Sequence, residues 1–345
     1  MTKSTPCVDD RLPDWNVVRE AYNWRTLLIG NGASLAIWQG FRYPSLFQRA
    51  SSPEISHRLS SSDQTIFDTL TTTNFERVLT ALWTSSVVCS ALSLPSDLIS
   101  ERYDHIRNAL VEAVQSVHVP HASVSLDTFR ALQSSLLSYT TVFSTNYDLL
   151  LYWSIMHDGK AVLKDYFWSV DHPIFDVTNT TEYANSRTVL YLHGGLHLVR
   201  TPAGHTKKLV ADADTLLAQF GAGMESGETP LFISEGTVED KLGAIARSDY
   251  LSFAHGRLTR NREPLVVFGH SFSDNDRHLV DAMRNWELDI PIAISMRPVS
   301  PPAIMARKAK LHADIPNRQL LFFDASTHPL GSPEFVVSAA SGGTK

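Results

Sequence analysis

The chain has 345 residues, of which 43% are hydrophobic, and a formal net charge of -6 at pH 7. This hydrophobic content can build one elaborated domain or two close ones, while the negative charge argues against a general attraction to nucleic acid or to anionic membranes. The polar first ten residues lack the apolar segment of a signal peptide, and no apolar run predicts a membrane span, so we expect a cytoplasmic protein.

The cysteine content is low. Only Cys7 and Cys89 are present, and they are far apart in the chain. A disulfide framework is therefore not expected, and a zinc site of four cysteines is impossible within this chain.

The first part of the chain predicts one strand followed by many helices. Residues 1–25 are polar with scattered tryptophans and are interpreted as an N-terminal arm. Thr26 to Ile29 form a short apolar run typical of a buried strand, and a helix is predicted from Ser34 to Gln39. Residues 51–138 show apolar residues at helical spacing without a strand-like run, which predicts a helical insertion or cap. Its predicted helices are Phe67 to Leu92, Leu98 to Val117 and Leu126 to Leu137.

From Tyr139 onward, predicted strands and helices alternate. The predicted strands are Thr140 to Phe143, Val189 to Leu192, Leu231 to Ser234, Leu265 to Phe268, Ile290 to Ile294 and Leu320 to Phe323. The predicted helices are Asp148 to Met156, Val238 to Arg260, Asp274 to Trp286 and Pro301 to His312. This alternation predicts an α/β fold with a Rossmann-like parallel sheet and helices on both faces. The core would comprise residues 26–50 and 139–330, followed by a flexible tail at 331–345.

A glycine-rich segment, Gly30-Asn31-Gly32-Ala33-Ser34, follows the first predicted strand and begins a helix. Glycine lets the backbone approach a ligand closely, and the N–H groups of a helix N-terminus attract phosphate. A tight turn in which Ser34 caps the helix explains the same residues without a ligand. Because no acidic residue can be placed at the end of a following strand to bind a ribose, a standard dehydrogenase is disfavoured.

A second polar segment, Ser144-Thr145-Asn146-Tyr147-Asp148, stands where the next predicted strand ends. Capping explains Asn146, and the helix dipole favours Asp148. Capping does not require so many polar residues in succession, however. In open α/β sheets this position is the ligand crevice, so we predict a functional role for Asn146, with Thr145 and Asp148 beside the ligand.

A histidine, His193, directly follows the third predicted strand and precedes two glycines that leave space for a ligand. An imidazole at this position has a pKa suited to proton transfer near neutral pH. A turn histidine without a function is the alternative. His197 lies four residues further on, but the glycines prevent the helix that would bring both rings to one metal ion, and we predict no metal.

A fourth segment, Gly269-His270-Ser271-Phe272-Ser273-Asp274, again joins a strand to a helix. Helix capping accounts for Ser273 and Asp274, so Gly269 and Ser271 are the better ligand candidates. Glu76 and Glu235 are weaker candidates. A solvated helix face or an ion pair explains Glu76 equally well.

Taken in order, GNGAS, STNYD, LHGG and FGHSFSD resemble the SIR2-like superfamily, and in particular the bacterial SIR2-like proteins of the DUF4917 type. The similarity extends over residues 27–324 and includes Asn74-Phe75-Glu76 and Ser234-Glu235-Gly236. It implies an NAD-binding Rossmann-like fold with a smaller helical subdomain over the site. It also implies chemistry that cleaves the bond between nicotinamide and ribose.

The resemblance assigns roles to the residues of the four segments. Gly30, Gly32 and Ser34, with Asn31 between them, match the loop that holds the phosphates in the family, and Thr145 adds to the nucleotide site. Asn146 matches the catalytic amide, Asp148 the carboxylate beside it, and His193 the catalytic histidine. Gly269 and Ser271 match the loop on the adenosine side.

Two departures from sirtuins narrow the implied activity. The chain has no four-cysteine zinc module, which argues against protein deacylation, and Asn31 replaces the usual alanine of the glycine loop. The resemblance therefore implies an NAD+ hydrolase that yields nicotinamide and ADP-ribose, in bacterial anti-phage defence. NAD is its substrate, and whether NADP is also accepted stays open.

Two other functions fit the same residues. The chain could bind NAD or ADP-ribose as a regulatory module without turnover, or it could be a deacylase or an ADP-ribosyltransferase. By family analogy, a homo-oligomer or a defence-system partner such as an ATPase would restrain the activity, and neither nucleic acid nor membrane is expected as a direct partner.

Overall fold

The structure is a computed structural model, and it describes residues 9–42, 45–157, 163–167, 173–183, 186–209, 215–217, 227–233, 237–286, 289–316 and 318–337. Its centre is a parallel sheet of six strands in the order β3-β2-β1-β7-β8-β9. These strands are β1 (Thr26–Ile29), β2 (Thr141–Ser144), β3 (Thr188–Tyr191), β7 (Leu265–Phe268), β8 (Ile292–Met296) and β9 (Leu320–Asp324). The predicted α/β class with a Rossmann-like parallel sheet is confirmed.

The central strands β1 and β7 are buried along their whole length because helices cover the sheet. All four residues of β1 and all four of β7 are buried, as expected for parallel strands packed on both faces. Strand order reverses between β1 and β7, since β2 and β3 lie on one side of β1 while β8 and β9 lie beyond β7. Such a switch point opens a crevice at the carboxyl ends of the strands.

Helices connect the strands. They are α1 (Trp15–Arg19), α2 (Asn31–Ile37), α3 (Leu46–Ala50), α4 (Ser61–Thr69), α5 (Phe75–Ala91), α6 (Asp97–Val117), α7 (Leu126–Leu136), α8 (Leu150–Met156), α9 (Val238–Arg247), α10 (Asp249–Thr259), α11 (Arg277–Arg284) and α12 (Pro301–Asp314). Among the described residues, no helix combines the length and apolar character that crossing a bilayer requires.

Two predicted helices are each divided into two. The prediction from Phe67 to Leu92 is interrupted between α4 and α5, where Thr71 has a φ of 50° and the Asn74 side chain caps α5 by accepting from the Arg77 N–H. The prediction from Val238 to Arg260 is interrupted at Ser248, whose buried hydroxyl accepts from the Leu251 N–H and starts α10. In both cases a side-chain cap starts a new helix within a continuous apolar pattern.

A second sheet corrects the prediction for Leu231 to Ser234. That apolar run forms β6 (Thr229–Phe232), which pairs antiparallel with β4 (Gly194–Arg200) and does not join the central sheet. The third strand of this sheet is β5 (Thr206–Lys208). The sequence pattern missed the sheet because a run of four apolar residues does not specify the direction of its neighbour, and the two glycines of β4 are typical of a loop.

The helices between β1 and β2 pack against this small sheet. The Tyr103 hydroxyl of α6 donates to the Glu228 carbonyl at 2.9 Å, next to β6. Arg77 of α5 forms an ion pair with Asp240 of α9 at 3.0 Å. The predicted helical insertion is thus in contact with the segment of the chain between β3 and β7.

Buried polar contacts attach the insertion to the core. His118, at the C-terminal end of α6, accepts from the Leu149 N–H through Nε2 at 2.9 Å and lies 2.8 Å from the Val119 carbonyl through Nδ1. The Trp38 indole donates to the Val117 carbonyl at 3.0 Å. Because Leu149 directly follows Asp148, His118 also fixes the end of the segment Ser144 to Asp148, which carries predicted site residues.

The two ends of the described chain contribute to the core. Trp15 and Val18 of α1 are buried, and the Asp324 N–H donates to the Pro13 carbonyl. Near the other end, Phe335 is buried and the Val337 N–H donates to the Ile37 carbonyl at 2.7 Å. Residues within the predicted arm and the predicted tail therefore pack against the fold.

The buried His118 predicts acid sensitivity. Burial lowers its pKa from 6.5 to about 4, against the effect of the Val119 carbonyl, so its neutral form stabilises the fold above pH 6.5 and this stability is lost as the pH falls toward 4. The group contributes about 3 kcal/mol to that loss. We expect His118→Gln, whose amide can donate and accept but does not titrate, to reduce the pH dependence of the free energy of urea unfolding.

The matched control for this comparison is His205→Gln, because the His205 side chain is 60% exposed and its Nδ1 lies 3.7 Å from Asp249 Oδ2, beyond hydrogen-bond distance. It should retain the parental pH dependence. Equal slopes for the parent and His118→Gln between pH 6.5 and 4 would show that His118 is not buried as a neutral ring.

Candidate functional site

A cavity of about 820 Å³ lies at the carboxyl ends of the parallel strands. Residues that follow all six strands line it: Asn31 after β1, Thr145 after β2, His193 after β3, Gly269 after β7, Arg297 after β8 and Ala325 after β9. Its volume lies in the range of roughly 300–1,000 Å³ that is typical of small-molecule sites. The cavity occupies the crevice that the strand order predicts.

The loops after β1 and β7 meet at the centre of this cavity. The Gly32 N–H donates to the Gly269 carbonyl at 2.7 Å, and the Gly30 N–H donates to the Phe268 carbonyl at 2.9 Å. A Cβ on Gly32 would lie 2.7 Å from the Gly269 Cα, and one on Gly30 would lie 2.6 Å from the His270 Cα. Both glycines are therefore required for the close packing of two backbones, which explains them without a ligand.

A buried hydrogen-bond network joins the ends of β1 and β2. The Asn146 Nδ2 donates to the Ser34 hydroxyl at 2.8 Å and to the Gly30 carbonyl at 3.2 Å. The Ser34 hydroxyl in turn donates to Asp148 Oδ2 at 2.6 Å. Ser34 lies inside α2, whose N-cap is Gly30, and Asn146 does not cap α8, so the capping explanations of both residues are wrong.

The orientation of the Asn146 amide follows from this network. The Gly30 carbonyl can only accept, so the amide NH₂ must face it. The amide oxygen, Oδ1, is then left buried, with no hydrogen-bond partner in the described part of the chain. Buried acceptors in folded proteins usually have a donor, and Asn146 lines the cavity. This oxygen is therefore available to a donor that enters the site.

Asp148 is the accepting end of the network. Burial raises its pKa, while the hydrogen bonds from the Ser34 hydroxyl and the Leu150 N–H oppose that change. Asp148 Oδ1 accepts from the Leu150 N–H at 3.0 Å, at the first turn of α8. The carboxyl group is thus fixed through both oxygens, and it acts on Asn146 through Ser34.

His193 follows β3, lines the same cavity and pairs with a second histidine. Its Nε2 lies 2.8 Å from Nε2 of His278, a residue of α11. Gly194 has a φ of 73° and turns the chain directly after His193, whose carbonyl accepts from the Ile233 N–H. Within the described residues, Nδ1 of His193 has no hydrogen-bond partner.

The pKa of His193 differs from the sequence-based expectation of a near-neutral value. Burial, and then the nearby charges of Lys241 and His278, lower it well below 6.5, while Asp276 raises it. Burial likewise lowers the pKa of His278 to about 4. Both rings are therefore neutral at pH 7, and one must donate to the other across the 2.8 Å contact.

A buried ion pair stands beside the two histidines. Lys241 of α9 donates to Asp276 Oδ1 at 2.6 Å, and the Ser273 hydroxyl donates to Asp276 Oδ2 at 2.7 Å. Ligand atoms of His193, Asp276 and His278 lie within 4.8 Å of one another, a spacing that a metal ion could use. The Lys241 ammonium already neutralises Asp276, and its charge opposes a second cation at this place.

The site residues predicted from the sequence divide into those that line the cavity and those that lie behind it. Of the ten residues proposed from the sequence, eight line the cavity: Asn31, Gly32, Thr145, Asn146, Asp148, His193, Gly269 and Ser271. Gly30 and Ser34 do not line it and act from behind, through the backbone packing and the hydrogen bonds described above. Thr145 also connects the loop after β2 to the end of β1, because its N–H and hydroxyl both donate to the Ile29 carbonyl.

The weaker candidates lie elsewhere. Glu76 is buried near Arg247 and Arg200, burial raises its pKa, and it does not line the cavity. His197 is buried against the rings of Tyr152 and Tyr191, so it does not join His193. The segment Ser234 to Gly236, with Glu235, lies outside the described residues.

Several cavity residues were not proposed from the sequence: Lys241, His270, Asp276, Arg297 and Arg307. His278 was also missed, although it contacts His193. Asp276 and His278 stand two residues apart just after the FGHSFSD segment, and this spacing was the signal available. Asp276 pairs with Lys241, and His278 pairs with His193. These partners are distant in the chain, so no local sequence pattern predicts the pairs.

Comparisons with known proteins identify one family and a larger set of distant structural similarities, which includes two Sir2 homologues. A family model described as a domain of unknown function, DUF4917, matches residues 27–328. A mutant Sir2 homologue in complex with 2′-O-acetyl ADP ribose is 14% identical, covers 91% of this chain and 91% of that chain, and has a TM-score of 0.35. A Sir2 homologue–NAD complex is 14% identical, covers 93% of this chain and 92% of that chain, and has the same TM-score, 0.35. No curated protein matches the chain.

The contact between the two glycine loops predicts a mutational effect. In Gly32→Ala, the new methyl group would meet the Gly269 backbone, and we expect a loss of roughly 1–3 kcal/mol in the free energy of unfolding. The matched control is Gly256→Ala in α10, where the nearest atom is the flexible Arg260 Nη2 at 3.0 Å. This control should stabilise the protein by up to about 1 kcal/mol, because alanine favours a helix over glycine.

Chemical denaturation of both variants measures the difference. A Gly32→Ala protein as stable as the parent would mean that the two loops are not in contact.

Proposed function

This chain belongs to the DUF4917 family, and we propose that it is an NAD+ hydrolase that cleaves the bond between nicotinamide and ribose. The family match agrees with the resemblance inferred from the four sequence segments. The family description assigns no function, so the proposal is argued from the chemistry of this chain's own residues.

The observation that carries the proposal is the buried, unpaired Asn146 Oδ1 in a cavity that His193 also lines. A ribose hydroxyl or a water molecule is the kind of donor that this oxygen can accept from. The imidazole of His193 supplies a proton acceptor in the same cavity. An oriented amide can hold a water molecule at a sugar carbon, and an imidazole can accept its proton.

The shape of the site supports a dinucleotide. The cavity extends across the ends of all six strands at the switch point, where α/β sheets of this order bind nucleotides. Gly32 and Gly269 line its centre, so neither of these two positions places a side chain between the two ends.

The reaction balances with one water molecule. The bond between the ribose C1′ and the nicotinamide nitrogen breaks, and a bond between C1′ and the water oxygen forms. The bonding electrons leave with nicotinamide, which departs neutral because its ring nitrogen is cationic in NAD+. The attacking water loses one proton. The leaving group needs no acid, because nicotinamide departs neutral.

The roles follow from the geometry. Asn146 would hold the ribose or the water with Oδ1, kept in place by Gly30 and Ser34. Asp148 would act through Ser34 and favour the positive charge that develops on the sugar. His193 would accept the proton at Nδ1, which requires that its Nε2–H donates to His278.

The alternatives predict different products. A deacylase or an ADP-ribosyltransferase would give an acylated ribose or a modified protein, whereas a regulatory module would bind NAD+ without releasing nicotinamide. By family resemblance we extend the proposal to anti-phage defence, in which an oligomer or a partner protein such as an ATPase would restrain NAD+ depletion in resting cells.

The catalytic residues can be tested by substitution. We expect Asn146→Ala and His193→Ala each to reduce NAD+ hydrolysis by roughly 10²–10⁴-fold, because each removes a group that acts in the transition state. The measurement is chromatography of nicotinamide and ADP-ribose formed by the purified full-length chain, alone and with the products of neighbouring genes.

The matched controls are Asn16→Ala and His57→Ala, since both residues are exposed and lie outside the cavity. Melting curves establish that each variant is folded. Parental activity in both Asn146→Ala and His193→Ala would reject the catalytic assignment. A parent that is stabilised by NAD+ but releases no nicotinamide would be a binding module instead.

The charges beside His193 predict opposite shifts of the pH profile. Lys241 lowers the pKa of His193 and Asp276 raises it, and a base acts only when it is unprotonated. Lys241→Met should therefore move the acidic limb of kcat/KM toward higher pH by roughly one unit, and Asp276→Asn should move it toward lower pH. Shifts of both variants in the same direction would show that another group sets this limb.

A further inference from the structure

The position of the reacting groups determines in which direction a dinucleotide would extend across the strand ends. Asn146 and His193 follow β2 and β3, on one side of the switch point, so the remainder of a dinucleotide must extend toward β7 and β8. From the end of β3 to the end of β8 there are four strand spacings, or roughly 19 Å at about 4.8 Å each. The adenosine part of the substrate would then lie beside the residues that follow β8.

An arginine stands at that end without a partner. Arg297 directly follows β8, is exposed and lines the cavity. In the described part of the chain it forms neither an ion pair nor a hydrogen bond. Its guanidinium therefore keeps its donors and its charge available to a ligand.

A second arginine lines the same cavity and lacks a carboxylate partner among the described residues. Arg307, on α12, donates through Nη2 to the carbonyls of His270 and Ser271 at 3.1 and 3.0 Å. These contacts fix the side chain at the loop after β7 but do not neutralise its charge. Two uncompensated guanidinium groups thus line this part of the cavity.

The carboxylates that line the cavity are both engaged. Among the described lining residues these are Asp148 and Asp276, and their oxygens are held by Ser34, Leu150, Lys241 and Ser273. A ribose 2′-hydroxyl is typically bound by a free carboxylate at a strand end, whereas an arginine there accommodates a 2′-phosphate. Asp324, at the end of β9, is also occupied, because Oδ1 accepts from the N–H and the hydroxyl of Ser326.

The first turn of the nearby helix offers no free N–H group in place of these arginines. The helix that begins nearby, α12, starts with Pro301 and Pro302, which have no N–H groups. Its N-cap, Ser300, makes no side-chain cap, and the Ala303 N–H donates back to the Ser300 carbonyl. A phosphate at this place would therefore depend on arginine side chains rather than on a helix N-terminus.

We propose that the substrate carries a phosphate on its adenosine ribose, so that the chain binds and hydrolyses NADP+ in preference to NAD+, with Arg297 and Arg307 holding the 2′-phosphate. This inference rests on the proposed hydrolase function and names its substrate class. Guanidinium groups bind phosphate through paired, charge-assisted hydrogen bonds. The unphosphorylated dinucleotide would leave both charges without a partner.

The test compares two reaction products, ADP-ribose and ADP-ribose 2′-phosphate, as ligands of the purified full-length chain by calorimetry. Binding of products does not depend on an activating partner. We expect the phosphorylated ligand to bind at least roughly tenfold more tightly, the effect of one hydrogen bond to a charged group. Hydrolysis of NADP+ and NAD+ under identical conditions should show the same preference in kcat/KM.

Substitution identifies the residue responsible. In Arg297→Ala the ratio of the two affinities should fall toward one, and Arg297→Lys should retain part of the preference because a lysine keeps the charge without the paired geometry. The matched control is Arg130→Ala, which removes an arginine whose side chain is 60% exposed on α7. It should keep the parental ratio.

The outcomes separate this inference from the function on which it rests. Equal binding of the two ligands, with hydrolysis intact, would overturn the substrate preference alone. A preference that survives in Arg297→Ala would overturn the role of Arg297. If neither ligand binds, both the preference and the proposed hydrolase site are wrong.

Discussion

The hydrogen bonds that join Asn146, Ser34 and Asp148 are the constraint on which the site depends. They connect the loop after β1 to the loop after β2 across the interior of the protein, where an unmade hydrogen bond costs about 1–3 kcal/mol. Because the Gly30 carbonyl accepts from the same amide, the side chain has a single favourable orientation. The packing of the sheet and the unpaired state of one buried amide oxygen therefore have the same cause.

The two sides of the cavity differ in their electrostatics. On the β3 side, a buried Lys241–Asp276 pair and two neutral histidines leave little net charge. On the β8 side, the charges of Arg297 and Arg307 are not compensated by a lining carboxylate in the described part of the chain. A substrate with a cationic ring at one end and phosphates along the rest of its length matches this division. Fold class alone does not imply this, since unrelated functions share Rossmann-like sheets.

The sequence predicted those parts of the fold that local patterns determine. β1 and β7 have the predicted bounds because each is a short, largely apolar run that ends at a glycine and is buried on both faces. The direction of β6 could not be predicted, because a four-residue run specifies neither its partner nor its orientation. The sequence also predicted that the loops after the strands form one site, because the carboxyl ends of parallel strands lie at the same edge of the sheet.

The contacts within the site were less accessible to sequence reasoning. His193 and His278 are 85 residues apart, and their rings meet only when α11 packs beside the end of β3. The low pKa of His193 follows from burial and from Lys241, neither of which a strand-end motif reveals. The glycines of the first loop were interpreted as space for a ligand, whereas both are already needed for contact with the loop after β7.

The position of β1 in the middle of the sheet has a consequence for synthesis of the chain. Leu27 pairs with Val142 on one side and with Val266 on the other, so one edge of this apolar strand lacks its partner until about 240 more residues have been made. At roughly 5–20 residues per second, a ribosome needs on the order of 10–50 s for that length. During this interval the strand presents an open edge to other nascent chains, so protection by chaperones is most important before β7 emerges.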